Sequence, residues 1–189
     1  MRYERETMIN FDAIAHFFSE SGIITYVVLI WLSFYFILSF AILFARMSAL
    51  SVWMMRENGA LKALLNGANL AETDSTFKKC VQDSAQLNIV KNRAERASTK
   101  GLTWLSIMAS TSPFIGLFGT VVSILETFGG LGTQNSLSII APKISEALVA
   151  TACGILVAIP AYSFHLLIKR KASELMSILD SQIRFLVRS

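Results

Sequence analysis

LTWLSIMASTSPFIGLFGTVVSIL, residues 102–125, carries no charged side chain and exceeds the roughly 20 residues an α-helix needs to cross the hydrocarbon of a bilayer. Two further runs are comparably long and apolar: residues 23–45, uncharged between Glu20 and Arg46, and residues 144–168, whose one acid is Glu146. A soluble domain of 189 residues buries one core, and three such runs would overfill it. Composition agrees, with 53% hydrophobic and only 16% charged residues, against about 25% charged in an average soluble chain. The expected fold class is all-α, a polytopic membrane protein with three transmembrane helices. A cleaved signal peptide is the competing reading of the first run. Its apolar core is normally about 7–15 residues, however, and its leader lacks acids such as Glu4, Glu6, Asp12 and Glu20.

Net charge is +4, and the placement of the basic residues shows what it serves. Nine Lys and Arg lie between Arg46 and Lys100, and residues 169–188 add Lys169, Arg170, Lys171, Arg184 and Arg188, whereas residues 128–142 hold none. By the positive-inside rule the middle segment and the tail face the cytoplasm. The resulting plan is an extracytoplasmic segment 1–22, a first span 23–45, a cytoplasmic helical domain 46–101, a second span 102–127, a periplasmic loop 128–142, a third span 143–168 and a cytoplasmic tail 169–189. Phe11, Ile14, Phe17 and Phe18 fall at helical spacing and could form a surface-lying amphipathic helix; a loosely ordered leader is the alternative. In the middle domain, Asn58-Gly59 and Asn66-Gly67 read as turns, and residues 74–97 as a helix capped by Asp74 or Ser75. No aromatic residues alternate with the basic ones, which argues against nucleic acid. Cys80 and Cys153 are separated by the membrane plan and are not expected to form a disulfide.

Small residues mark the faces on which membrane helices meet, because lipid tails are as apolar as leucine. The first run is dominated by large side chains and suits a mostly lipid-facing helix. The second places Ala109, Ser112, Gly116, Gly119 and Ser123 on one stripe, and the third places Ala147, Thr151, Gly154, Ala158 and Ala161 likewise. Gly116, Gly119, Gly154 and Ala158 are therefore the expected helix-packing positions. Pro142 is expected in the first turn of the third helix, and Pro113 and Pro160 as kink sites.

Polar residues inside these spans need reasons. Glu146 costs a few kcal/mol or more in lipid unless paired, hydrated or protonated. It either lines a hydrated ion path or snorkels to the interface near Lys143. Thr151 lies about 7.5 Å deeper along the helix. Thr120 in the second span could simply bond its own i−4 carbonyl. Glu126 and His165 lie near opposite ends of the spans and are read as solvated. Neither HExxH nor GxSxG is present, and Ser163 and His165 point different ways on a helix, so no hydrolase site is expected.

Residues 109–128, ASTSPFIGLFGTVVSILETF, resemble the second transmembrane helix of the ExbB/TolQ family, whose core is a proline followed by an IGLFGTV segment. Residues 140–162, IAPKISEALVATACGILVAIPAY, resemble the third, with its AP start, SEALVATA core and AIPA ending. The resemblance implies that Thr120, Glu146 and Thr151 line a proton pathway. It further implies a homopentameric ring whose second and third helices enclose a two-copy, single-span partner of the ExbD/TolR type carrying an essential Asp, with a TonB- or TolA-like protein beyond it. No cofactor or metal is implied. Flagellar-motor relatives usually have four spans, which the single leading helix here does not match, and this chain has shorter terminal segments than longer relatives. The shared motifs leave open whether the role is nutrient uptake or envelope maintenance. A non-conducting scaffold that holds partner helices is the reading from a different class.

Overall fold

The structure, a computed structural model, describes residues 23–68, 72–78, 84–129 and 137–188. The amphipathic reading of residues 11–18 and the position of Cys80 lie outside the described residues. Four helices account for nearly everything described: α1 (Ile23–Leu65), α2 (Ser84–Ser98), α3 (Leu102–Gly129) and α4 (Leu137–Arg188). No strand occurs among the described residues. Helices α1, α3 and α4 each contain a stretch long and apolar enough to cross a membrane, as three uninterrupted apolar runs require.

The helices outrun the apolar segments that announce them. At 43 and 52 residues, α1 and α4 continue well past their last apolar turns. A bilayer rewards apolar side chains only over its own thickness, whereas a helix persists as long as one face has something to pack against. This corrects two local readings. Asn58-Gly59 lies inside α1, because Ala60 and Leu64, one helical turn apart, are both buried and their packing outweighs the turn preference of the dipeptide. Pro142 lies in the interior of α4, which starts at Leu137, and not in its first turn. Asn66-Gly67 is a turn as read. Gly67 takes φ 89°, Ala68 N donates to Ala63 O at 3.0 Å and Gly67 N to Leu64 O at 3.1 Å, the hydrogen-bond pattern that closes a helix on a left-handed glycine.

The chain forms two compact units. The first joins the described part of Met1–Ile37 with Met108–Pro160. Its core is slender, consisting of Val28 and Leu32 from α1 and Ala150 and Val157 from α4, with Tyr35, Ile115 and Cys153 packed against them. Its outward faces are oily: Ile30, Phe34, Phe118, Leu125 and Leu156 are all exposed. In water such a surface would drive association, and in a bilayer it is the solvated face. Many α1 side chains in this unit are exposed, but Val28 and Leu32 are 5% and 1% exposed, so one stripe of large residues packs inward.

The second unit joins Leu38–Ile107 and Ala161–Ser189. Leu50, Leu64, Phe77, Leu105, Ile168, Leu175 and Leu179 form its apolar interior. Within that interior sits a polar cluster centred on Glu57, which is 1% exposed. Its Oε1 accepts from Trp53 Nε1 at 3.2 Å, from the Thr76 amide at 2.9 Å and from the Thr76 hydroxyl. Its Oε2 accepts from Gln182 Nε2 at 2.9 Å. Ser75 donates to Gln182 Oε1 at 2.7 Å and accepts from the Phe77 amide at 3.1 Å. The hydroxyl read as a helix cap is thus engaged in this cluster, and α2 starts at Ser84. Arg46 Nη2 donates to Ala97 O at 2.5 Å and Ser98 O at 3.0 Å, covering carbonyls at the end of α2 that have no helical partner. The chain then turns through Gly101 at φ 90° into α3. Lys91 pairs with Asp180 at 2.6 Å.

Candidate functional site

The predicted site residues fall in the first unit, and the packing glycines explain how they come together. A Cβ added to Gly116 would lie 2.6 Å from Ala150 O and 3.0 Å from Thr151 Cα. A Cβ on Gly154 would lie 2.6 Å from Ser112 O and 3.1 Å from Gly116 Cα. Both distances are far inside van der Waals contact, so α3 and α4 touch backbone to backbone at this crossing and only glycine fits. Gly119 serves a different neighbour: its missing Cβ makes room for Val28 of α1, 3.2 Å away, and for the Ala150 methyl, 3.3 Å away. Ala158, one turn beyond Gly154, is half-buried.

That close approach brings two hydroxyls together. Thr120 of α3 and Thr151 of α4 hydrogen-bond directly through their Oγ1 atoms. Thr120 Oγ1 also lies 3.2 Å from Gly116 O, its own i−4 carbonyl, and 3.1 Å from Ala147 O. Thr151 Oγ1 lies 3.3 Å from Gly116 O. Two hydroxyl protons thus face more acceptors than they can fill. If Thr151 donates to Thr120, Thr120 donates to a carbonyl; if Thr120 donates to Thr151, Thr151 donates to Gly116 O. The pair can carry its hydrogen bonds in either sense without moving a heavy atom.

Glu146 is 7% exposed in α4, directly before Ala147, whose carbonyl serves Thr120. Oε2 lies 3.5 Å from Lys143 Nζ, and the buried Oε1 has no hydrogen-bond partner among the described residues. The pairing with Lys143 is therefore present, and the carboxylate is buried against the protein. The structure joins Thr120 to Thr151 and joins Glu146 to Lys143. Glu126 is exposed. His165, read as solvated, is half-buried with Nδ1 3.1 Å from Leu102 O. Periodicity could not indicate that contact, because its partner is a backbone atom 63 residues away. Among the described residues no group of His, Cys, Asp and Glu is placed to hold a metal ion.

Residues 58–181 match the MotA/TolQ/ExbB proton channel family. An ExbB-like biopolymer transport protein of Helicobacter pylori is 45% identical over 183 residues, covering 93% of this chain and 97% of that protein. The Tol-Pal system protein TolQ of Pseudomonas aeruginosa is 46% identical over 77 residues, 40% of this chain and 33% of its own length. The biopolymer transport protein ExbB of Pseudomonas putida is 48% identical over 68 residues, 35% of this chain and 21% of its own. With three helices fit to span a membrane and a family match over most of its length, this multi-pass membrane protein belongs to the MotA/TolQ/ExbB proton channel family.

Proposed function

We propose that the chain is the ring-forming subunit of a proton-driven motor in the bacterial inner membrane. In this reading Glu146, Thr120 and Thr151 form its part of the proton path. The observation that carries the reading is the Thr120–Thr151 hydroxyl pair, held by a glycine-only helix crossing and provided with more acceptors than protons. Such a pair can pass a hydrogen-bond direction along, which a merely structural threonine bonded to its own turn does not need. A buried carboxylate with one oxygen unpartnered among the described residues is a second feature a scaffold has no use for.

The sorting of basic residues supports a periplasmic N-terminus and a cytoplasmic C-terminus. Protons enter on the Glu146 side, reach an Asp on the helix of a single-span ExbD/TolR-like partner, and leave past the threonines. One charge crossing 100 mV releases roughly 2.3 kcal/mol, so several steps are needed for work on an outer-membrane client through a TonB- or TolA-like protein. Extensive exposed apolar surface on α3 and α4 is compatible with a homopentamer that encloses the partner.

The test is proton flux in liposomes holding the complex purified with its retained partner chain. Glu146→Gln and Thr151→Ala should each abolish flux while the ring, counted by native mass spectrometry, persists. Undiminished flux in both variants would take these residues out of the path, and absence of flux from the unaltered complex would leave the scaffold reading standing.

A further inference from the structure

Lys143 and Glu146 carry the only charges in the described parts of α4 up to Pro160, and the described part of α1 in the same unit carries none. From α3 the unit adds only Glu126, which is exposed. Lys143 is therefore the sole cation among the described residues of this unit, and its ammonium lies 3.5 Å from a carboxylate that is itself 7% exposed. Lys143 keeps the outer position, with its side chain 36% exposed, while the carboxylate is buried. The ammonium holds Oε2, and Oε1 remains buried and unpartnered among the described residues.

From this geometry we propose that Lys143 is a specificity-determining residue that makes the Glu146 site accept protons and refuse sodium. The inference rests on the reading of Glu146 as part of the ion path. A proton needs one lone pair, which Oε1 supplies. A hard metal cation needs several oxygens around it and gains most from both oxygens of a carboxylate. Here one oxygen is held by a fixed positive charge, which also repels an incoming cation at close range in a poorly screened site. Specificity of this kind is built against the wrong ligand: the charge opposes both cations alike, and the oxygen that the ammonium occupies is a ligand sodium loses and a proton does not need.

The experiment uses the full chain in its own membranes and asks whether sodium protects Glu146 from a carboxyl-directed carbodiimide, with labelling read by mass spectrometry. In the unaltered chain, sodium should leave the labelling rate unchanged. In Lys143→Met, and equally in Lys143→Gln, sodium should slow labelling by about tenfold, a modest change for the loss of one unit charge at this separation. Lys143→Arg, which keeps the charge, should restore indifference to sodium. Sodium-insensitive labelling in both uncharged variants overturns the proposal, as does absence of labelling at Glu146 in every chain. Failure of the reading of Glu146 as part of the ion path is told apart by flux, because Glu146→Gln would then leave flux intact whatever the labelling shows.

Discussion

Thr120 and Thr151, 31 residues apart in sequence and on different helices, share one hydrogen bond and compete for the same acceptor, the carbonyl of Gly116. Replacing either by valine removes the hydroxyl at nearly constant volume. Each single change should cost about 1 kcal/mol of stability, as interhelical hydrogen bonds in membranes do. The double change should cost less than the sum of the two, because the shared bond can be lost only once. Thermal unfolding of the four detergent-solubilised proteins measures the cycle, and flux through the same complexes should fall at least as far in each single variant as in the double.

The helix crossing allows a prediction with an internal control. Gly116→Ala and Gly154→Ala each place a methyl 2.6 Å from a carbonyl oxygen, so α3 and α4 must separate, at a cost of about 1–3 kcal/mol each. Gly59, inside α1, has nothing within 4 Å of where its Cβ would be, and Gly59→Ala should stabilise by about 0.5–1 kcal/mol through helix propensity. Melting temperatures that rise in all three would show that the crossing is not sterically closed.

Glu57 is the most demanding residue of the second unit. Glu57→Ala removes the acceptor of the Thr76 amide, while Trp53 Nε1 keeps the Thr76 hydroxyl at 3.1 Å and Gln182 Nε2 keeps the carbonyl of residue 57 at 2.9 Å. One unsatisfied buried donor costs about 1–3 kcal/mol, and a loss of that size is expected, with faster proteolysis around residues 72–78, which the cluster ties down. Limited proteolysis of the intact membrane protein reads it directly. Cleavage no faster than in the unaltered chain would show that buried Phe77 and the Ser75–Gln182 hydrogen bond hold the loop without Glu57.

Arg46 should act as a remote cap. Arg46→Ala uncovers the Ala97 and Ser98 carbonyls, and hydrogen bonds to a charged donor contribute about 1.5–3 kcal/mol each before solvent exposure discounts them. Hydrogen exchange should speed up in the last turn of α2 and through Gly101, and not at the start of α4.

The sequence announced its spans because lipid enforces one rule along a whole helix. It announced the small stripes because two backbones meet only where side chains are absent. Helix ends were less legible: the charge at Arg46 shows where hydrocarbon stops, and α1 goes on for another 19 residues to Leu65 because the second unit gives it a surface to pack on. The Glu57 cluster was silent for a different reason. Gln182 reaches it from 125 residues away, and no local pattern encodes which distant amide will satisfy a buried carboxylate. For the site, motif and spacing picked out Thr120, Glu146 and Thr151 as polar residues in the spans. They did not reveal that the two threonines share an acceptor, or that one Glu146 oxygen has no partner among the described residues.

At Gly116 and Gly154 nothing lies between one backbone and the next, so there is no layer in which shear could occur. Two helices separated by side chains can creep past each other as rotamers change, but two that rest on bare main chain interlock like a ratchet and its pawl. The consequence is mechanical: α3 and α4 bear load together around this point, and a force applied to one is carried by both before either yields.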